Sequence, residues 1–152
     1  MILSKKAAQI NGSRLDLREN MQISLKDLLY GLMLRSGNDA AIAIAEYISG
    51  STEEFAVLMN EKAKSLGMNN SHFVTPNGLD DDQHYSTAYD MAVLTNYALN
   101  NKVFAEIVGT KKISINWNGN SRKISNTNEL LGSVSGVYGV KTGFTNGAGR
   151  CL

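Results

Sequence analysis

The chain has little of several residue types, and each shortage excludes a class of structure or function. Cys151 is the only cysteine, so neither an internal disulfide nor a cysteine-based metal site can form. Its 15 lysines and arginines against 14 aspartates and glutamates leave a net charge of +1, which provides no basic field for nucleic acid. No run approaches the roughly 18–20 apolar residues that a membrane span requires. A single proline and an apolar share of 43% indicate a folded globular chain rather than a disordered one.

The first residues also lack the pattern of a secretory signal peptide. Lys5 and Lys6 follow Met1-Ile2-Leu3-Ser4 directly, and no apolar core comes after them. For a complete protein that is exported, we expect the targeting sequence to lie outside these 152 residues.

A helical apolar period runs through the first two thirds of the chain. The first predicted helix begins at a cap formed by Ser24 and ends at Ser36-Gly37. Asn38 or Asp39 is the expected N-cap of the second helix. That second helix is apolar on most sides, so we expect it to be buried.

Further helices are indicated downstream, on both sides of an irregular connection. A capping box predicts a helix from Ser51 that ends before Gly67, and Thr87 caps another that ends at Ala98 or Leu99. Residues 68–85, with the sole proline, read as the irregular connection between them. A last helical turn is expected over 103–108.

Beyond these helices the apolar period changes from 3.6 to 2, which indicates strands. Asn118-Gly119 is a two-residue hairpin signal that pairs Ile113 with Ile124. Residues 137–144 are a further predicted strand, followed by a turn at Asn146-Gly147.

Two short motifs point to the chemistry. Ser36-Gly37-Asn38 is an S-x-N turn, and Lys141-Thr142-Gly143 is a K-T-G motif. Together with an S-x-x-K that supplies the nucleophile, such motifs form the site of penicillin-recognising serine acyltransferases. No serine of this chain has a lysine three residues on. The chain therefore carries the substrate-binding half of an active site without its attacking group.

Four longer segments carry a family resemblance: LKDLLYGLMLRSGNDAAIAIAEYISG, HFVTPNGLDDDQHYSTAYDMAVLTNYAL, NTNELL and GVKTGFTNGAGRCL. In this order they resemble the low-molecular-mass penicillin-binding proteins, and more specifically the serine-type D-alanyl-D-alanine carboxypeptidases of the Gram-positive kind. The resemblance covers almost the whole chain, from about Ser4 to Leu152. Gly37 in the S-x-N turn fits these carboxypeptidases better than class A β-lactamases, where S-D-N is usual.

The resemblance implies an α+β fold of the β-lactamase/transpeptidase-like kind, with a helical lobe inserted into a lobe built on an antiparallel sheet. Residues from about 24 to 108 would form the helical lobe, and residues from about 110 to 152 part of the sheet lobe. The K-T-G motif would lie on the strand that lines the cleft. The S-x-x-K helix would precede Met1 and the closing strands would follow Leu152, so the chain resembles an internal fragment of a penicillin-binding domain.

The resemblance also implies three catalytic residues. Ser36 would shuttle protons between the nucleophile and the departing amine. Asn38 would hold the acyl carbonyl and orient the lysine of the missing S-x-x-K pair. Lys141 would place positive charge against the substrate carboxylate and lower the proton affinity of Ser36.

Three further residues are implied to bind substrate. Thr142 would donate a hydrogen bond to the substrate carboxylate. Gly143 would leave room for the substrate backbone to approach as an added strand. The N–H of Phe144 would be one of two oxyanion donors, the other coming from the nucleophile.

No metal or cofactor is implied by the remaining polar residues. His72 and His84 have no metal-ligand spacing, and Asp80-Asp81-Asp82 fails the calcium-loop pattern because Tyr85 stands at the glycine position. We interpret the acidic run as a solvated loop and Trp117 as part of a packed hairpin face. Asn126-Thr127-Asn128 is interpreted as a cap for residues 129–131, and a role in bracing the cleft stays open.

The implied reaction is acyl transfer. A serine would attack the D-Ala-D-Ala bond of a peptidoglycan stem peptide, the terminal D-Ala would leave, and water would hydrolyse the acyl-enzyme. β-Lactams would mimic the dipeptide and stall the second step. The complete protein would act outside the cytoplasm in association with the membrane.

Two alternatives stay open, and the chain itself has expected properties. One alternative is a class A β-lactamase-like hydrolase on the same fold, and the other is a non-catalytic binding remnant of that fold. Alone, the 152 residues are expected to be inactive, because the nucleophile and its lysine are absent. Exposed sheet edges predict self-association.

Overall fold

Helices come first and strands last in the computed structural model, which describes residues 1–151. The helices are α1 (Lys5–Gln9), α2 (Leu25–Arg35), α3 (Asn38–Ser49), α4 (Thr52–Ser65), α5 (Ala88–Leu99) and α6 (Lys102–Gly109). The strands are β1 (Lys112–Trp117), β2 (Asn120–Ser125), β3 (Gly143–Thr145) and β4 (Gly149–Cys151). Segregation of helices and antiparallel strands along the chain gives an α+β fold, as expected from the sequence.

Side-chain caps begin the helices where the sequence predicted them. The hydroxyl oxygens of Ser24, Ser51 and Thr87 each accept the N–H three residues further on. Each cap satisfies one of the N–H groups that have no partner inside the helix. The predicted starts of α2, α4 and α5 are confirmed, whereas α1, capped by Ser4, lies ahead of the first helix that the sequence predicted.

Helix α3 forms the centre of the core, which confirms its predicted burial. Residues 38–45 are all buried, and α3 packs against α1, α2 and α4. Large aliphatic side chains fill the space around it, and Leu28, Leu34 and Ile115 have essentially no exposed surface. Burial of each such side chain stabilises the fold by about 1.5–3 kcal/mol.

Strands β1 and β2 form the predicted hairpin and pack against α2. Ile113 lies opposite Ile124 in the antiparallel register, as expected. Asn118 and Gly119 connect the strands with φ of 43° and 76°, the left-handed conformations that a two-residue turn of this kind requires. Trp117 is partly buried against the core, which confirms its interpretation as a packed hairpin residue.

The turn between α2 and α3 differs from the expected one. Ser36, rather than Gly37, takes the left-handed conformation after α2, with φ of 55°. Gly37 occupies the N-cap position of α3 and provides no side-chain cap. The prediction that Asn38 or Asp39 caps α3 is therefore wrong, because α3 already begins at Asn38 and both side chains bind the preceding segment 11–17 instead.

The segment that carries the K-T-G motif is also less regular than predicted. Of the expected strand 137–144, only Gly143 and Phe144 belong to β3; Lys141 and Thr142 lie just before it. A strand requires a hydrogen-bonded neighbour, and in residues 1–151 each sheet has two strands, β1 with β2 and β3 with β4. Side-chain contacts, rather than a ladder, hold the residues ahead of β3.

Candidate active site

The S-x-N turn and the K-T-G segment meet in the folded chain. The ammonium group of Lys141 donates a hydrogen bond to the hydroxyl oxygen of Ser36, which joins residues 105 positions apart. It also donates to the carbonyl oxygen of Thr142 at 2.5 Å. The left-handed backbone at Ser36 ends α2, and its N–H bonds back to the carbonyl of Gly31. Ser36 is thereby held at the C-terminal end of α2, facing Lys141.

Lys141 is a cation with two neutral hydrogen-bond acceptors. The side chain is half-buried, and burial lowers its pKa below the usual lysine value. Within residues 1–151 no carboxylate lies in salt-bridge distance of its ammonium group. A partly desolvated cation with only a hydroxyl and a carbonyl as acceptors is suited to attract a bound anion and to lower the proton affinity of the Ser36 hydroxyl.

The residues after Lys141 present one hydroxyl, open space and an exposed ring. Oγ1 of Thr142 is 2.7 Å from Oγ1 of Thr127. Within residues 1–151, a Cβ atom added to Gly143 would meet only the Cβ of Cys151, at 3.8 Å, an ordinary contact distance. Neither packing nor a positive φ therefore explains a glycine at this position. The ring of Phe144 is 67% exposed, with the guanidinium of Arg150 at 6.0 Å from its centroid.

Asn38 is fixed by backbone atoms of the segment before α2. Its side-chain amide donates to the carbonyl of Asn11 at 2.7 Å, and its N–H donates to the carbonyl of Ser13 at 2.8 Å. Gly12 allows this approach, because a Cβ there would lie 2.7 Å from the Asn38 amide nitrogen. The bond to Asn11 determines which way the amide points, and it leaves the Oδ1 oxygen as the free acceptor among the described contacts.

Residues 126–128 connect the two motifs, whereas the sequence indicated a local cap for them and left a role in bracing the cleft open. The N–H of Thr127 donates to the carbonyl of Leu34 in the last turn of α2, at 3.0 Å. The Asn128 amide donates to the carbonyl of Gly139 at 3.1 Å, and the Asn126 amide to that of Thr110 at 3.1 Å. The predicted cap is present too, since Oδ1 of Asn128 accepts the N–H of Leu130. No periodic signal marks these contacts; the one clue was the polar run Asn126-Thr127-Asn128 ahead of the Glu129-Leu130-Leu131 segment.

The histidines and the acidic run lie in the connection between α4 and α5. Nδ1 of His84 accepts the N–H of Val74 at 3.0 Å and that of Thr75 at 3.3 Å, so it organises this loop. Burial lowers the pKa of His84. A carboxylate oxygen of Asp80 accepts the N–H of Gly147 at 3.3 Å. Among the described residues, no group of three or more His, Cys, Asp or Glu side chains is arranged to hold a metal ion.

The chain combines a helical core with an S-x-N turn that bonds to a K-T-G segment, and this segment leads into an antiparallel hairpin. These features define the class of transpeptidase-like, penicillin-recognising proteins. The family model described as "D-alanyl-D-alanine carboxypeptidase" matches residues 1–152. The chain belongs to this D-alanyl-D-alanine carboxypeptidase family. Members of the family act on D-Ala-D-Ala peptides of the cell wall and generally bind β-lactams.

Individual relatives agree with this assignment. The chain is 42% identical to the D-alanyl-D-alanine carboxypeptidase DacF of Bacillus subtilis over 98% of its own length and 39% of that protein's length. It superposes on the crystal structure of a D-alanyl-D-alanine carboxypeptidase from Mycobacterium tuberculosis with a TM-score of 0.92 and 32% identity, covering 99% of this chain and 57% of that one. It also superposes on the crystal structure of the D-alanyl-D-alanine carboxypeptidase DacD from Francisella tularensis, with a TM-score of 0.89 and 29% identity. That match covers 100% of this chain and 49% of the other.

These comparisons confirm the family and the transpeptidase-like fold expected from the sequence. They also show that the chain matches only part of each relative, between 39% and 57% of the length of the three relatives described. Within residues 1–151, no helix combines the length and apolar character needed to cross a membrane. The bounds of the two lobes and the roles of the six site residues stay predictions.

Proposed function

We propose that the complete protein is a serine-type D-alanyl-D-alanine carboxypeptidase that removes the terminal D-Ala from peptidoglycan stem peptides. The observation that carries this proposal is the hydrogen bond from the Lys141 ammonium group to the Ser36 hydroxyl, which unites the S-x-N and K-T-G motifs. Family membership over residues 1–152 supports it. Action outside the cytoplasm, association with the membrane, and acylation by β-lactams are parts of the same proposal.

The proton path runs through Ser36. A serine of an S-x-x-K segment, supplied from outside these 152 residues, attacks the D-Ala-D-Ala carbonyl, and its proton moves by way of the Ser36 hydroxyl to the departing amine nitrogen. The positive charge of Lys141 favours the deprotonated form of Ser36 during this relay. Water then attacks the ester and releases the shortened peptide. Asn38 contributes its free Oδ1, a suitable acceptor for the ammonium group of the S-x-x-K lysine.

Substrate binding is assigned to the residues around β3. The terminal carboxylate of the peptide faces Lys141 and accepts a hydrogen bond from Thr142. Open space at Gly143 supports approach of the substrate backbone alongside β3, since no contact within residues 1–151 requires a glycine there. The N–H of Phe144 is proposed as one donor to the oxyanion.

The test uses the complete protein, as its native reading frame encodes it, with D-Ala release from a pentapeptide ending in D-Ala-D-Ala as the readout. Ser36→Ala removes the relay hydroxyl and should lower kcat/KM by about 10²- to 10⁴-fold. Lys141→Gln removes the charge and should cause a loss of similar size. Lys123→Gln, on the exposed face of β2, is the matched control and should behave as wild type. Full activity of the Ser36→Ala variant would refute the proposed relay.

The chain of 152 residues gives a second, independent test. No serine in it has a lysine three residues on, so we expect no stoichiometric acyl adduct with a labelled penicillin. An adduct detected by mass spectrometry on the intact chain would show that another residue serves as nucleophile. Faster turnover of a penicillin than of the D-Ala peptide by the complete protein would instead favour the β-lactamase alternative.

A further inference from the structure

Two threonine hydroxyls lie side by side at the K-T-G segment. Oγ1 of Thr127 and Oγ1 of Thr142 are 2.7 Å apart, which is a normal distance for a hydrogen bond between hydroxyls. Each hydroxyl has one proton, so one of the two donates and the other accepts. The accepting hydroxyl keeps its own proton free for a third partner. The direction of this bond therefore decides which threonine can donate to a ligand.

Thr127 is held in place by its backbone and by both neighbours. Its N–H bonds to the carbonyl of Leu34, two residues before Ser36. Asn126 binds the carbonyls of Val108 and Thr110, and buried Asn128 binds that of Gly139. The hydroxyl of Thr127 is thus carried by a segment fixed at three points, and Thr142 is its partner among the described side-chain contacts.

We propose that Thr127 is a positioning residue for carboxylate recognition: its hydroxyl donates to Thr142, so that the proton of Thr142 points to the terminal carboxylate of the substrate. This inference rests on the proposed function. A carboxylate accepts hydrogen bonds but cannot donate one, so a bound carboxylate requires the Thr142 hydroxyl to donate to it. The Thr142 oxygen is then the acceptor for the Thr127 hydroxyl. A hydroxyl that accepts one hydrogen bond also becomes a better donor, because chains of hydrogen bonds polarise one another.

Lys141 completes this arrangement from the neighbouring position. Its ammonium group bonds to the carbonyl oxygen of Thr142, and no carboxylate of residues 1–151 neutralises it. A ligand carboxylate at this point receives long-range attraction from Lys141 and a directional bond from Thr142. Thr127 affects the hydrogen bond from Thr142 and leaves the attraction by Lys141 unchanged, because its effect passes through the Thr142 hydroxyl.

The experiment measures binding by the chain of 152 residues, without any requirement for turnover. N-acetyl-D-Ala-D-Ala and its C-terminal carboxamide are titrated separately, with the ¹⁵N-labelled amides around residues 142–144 as the NMR readout. The ratio of the two dissociation constants reports carboxylate recognition. Thr127→Val keeps the shape but removes the hydroxyl, and it should reduce this ratio by roughly threefold to tenfold. Thr127→Ser restores the hydroxyl and should recover most of the wild-type ratio.

A double-mutant cycle separates positioning from a merely structural role. Thr142→Val should lower the preference for the carboxylate to the part that the charge of Lys141 supplies, and adding Thr127→Val should change the ratio no further. The inference would be overturned if Thr127→Val weakened the binding of both ligands equally. It would also be overturned if Thr127→Val lowered the ratio further in the Thr142→Val background. A wild-type chain that binds both ligands equally would overturn it as well. Because the readout is binding, a complete protein that fails to release D-Ala would refute the proposed function and leave this result standing.

Discussion

At the scale of single residues, Lys141 is a cation that its surroundings partly remove from water. Burial lowers its pKa below the usual value of about 10.5, and its hydrogen-bond partners, the Ser36 hydroxyl and the Thr142 carbonyl, are both neutral. A binding site for an anion gains from such a cation, because the ligand supplies the missing counter-charge. The folded chain in turn carries the cost of keeping this charge away from water.

That cost predicts a pH dependence of stability. The unfolded chain binds the Lys141 proton more tightly than the folded chain does, so this residue makes the free energy of unfolding rise with pH between its lowered pKa and about 10.5. Lys141→Met removes the titrating group. The free energy of unfolding of both proteins is measured by urea unfolding at several pH values between about 7 and 11. We expect the wild-type free energy minus that of the variant to increase toward alkaline pH. A difference that stays flat over this interval would contradict the expected effect of burial.

At the scale of elements, the buried carboxylate of Asp39 fastens the segment before α2 to the first turn of α3. Its oxygens accept the N–H of Leu15 at 3.0 and 3.1 Å and the N–H of Leu17 at 3.1 Å. Leu15 packs so tightly on α2 that a Cβ atom at Gly31 would lie 2.1 Å from its Cδ1. The S-x-N turn is therefore held from both sides, which fixes the position of Ser36.

Replacement of this carboxylate tests how much it stabilises. Asp39→Ala leaves the N–H groups of Leu15 and Leu17 without acceptors in a buried site, and we expect a loss of about 3 kcal/mol in the free energy of unfolding. Asp82→Ala, in an exposed loop, is the control and should change it by less than about 0.5 kcal/mol. Equal stability of the two variants would show that the segment before α2 is held by other contacts.

The connection between α4 and α5 should respond to acid through His84. Burial is the main cause of its lowered pKa, and the charges of Asp81 and Asp80 oppose that effect. Neutral His84 accepts two backbone N–H groups, whereas the protonated ring cannot. Its stabilising contribution is therefore complete above about pH 6.5 and is lost as the pH falls through the lowered folded pKa. Amide hydrogen exchange at Val74 and Thr75, corrected for intrinsic rates, should lose protection in that range, and His84→Gln should lack the transition.

At the scale of the whole molecule, open sheet edges and exposed apolar side chains predict self-association. Each sheet in residues 1–151 has only two strands, so unpaired backbone groups border both. Large apolar side chains are also exposed on the helices, among them Tyr47, Ile48, Val57 and Tyr89 at 66, 53, 51 and 74%. We expect light scattering at micromolar concentration to report species larger than a monomer. Ile48→Lys should shift them toward monomer, and a monodisperse wild-type monomer would refute the prediction.

The helical half of the fold was readable from the sequence because its determinants are local. Serine and threonine caps and the apolar period depend on residues three or four apart, and they located α2, α4 and α5. The register of the β1–β2 hairpin followed from Asn118-Gly119 for the same reason. Local signals failed at the α2–α3 turn, where Asn38 and Asp39 have the composition of caps but bind a distant segment.

By itself, the sequence determined the family, the helices after α1 and the identity of the Ser36 and Lys141 motifs, because caps, turns and motifs are properties of neighbouring residues. Only the tertiary structure decided that Lys141 bonds to Ser36, that Lys141 and Thr142 lie ahead of β3, and that Thr127 contacts Thr142. These pairings join segments 15 to 105 positions apart. Side chains that far apart are brought together by packing of the core around α3, which no spacing along the chain encodes.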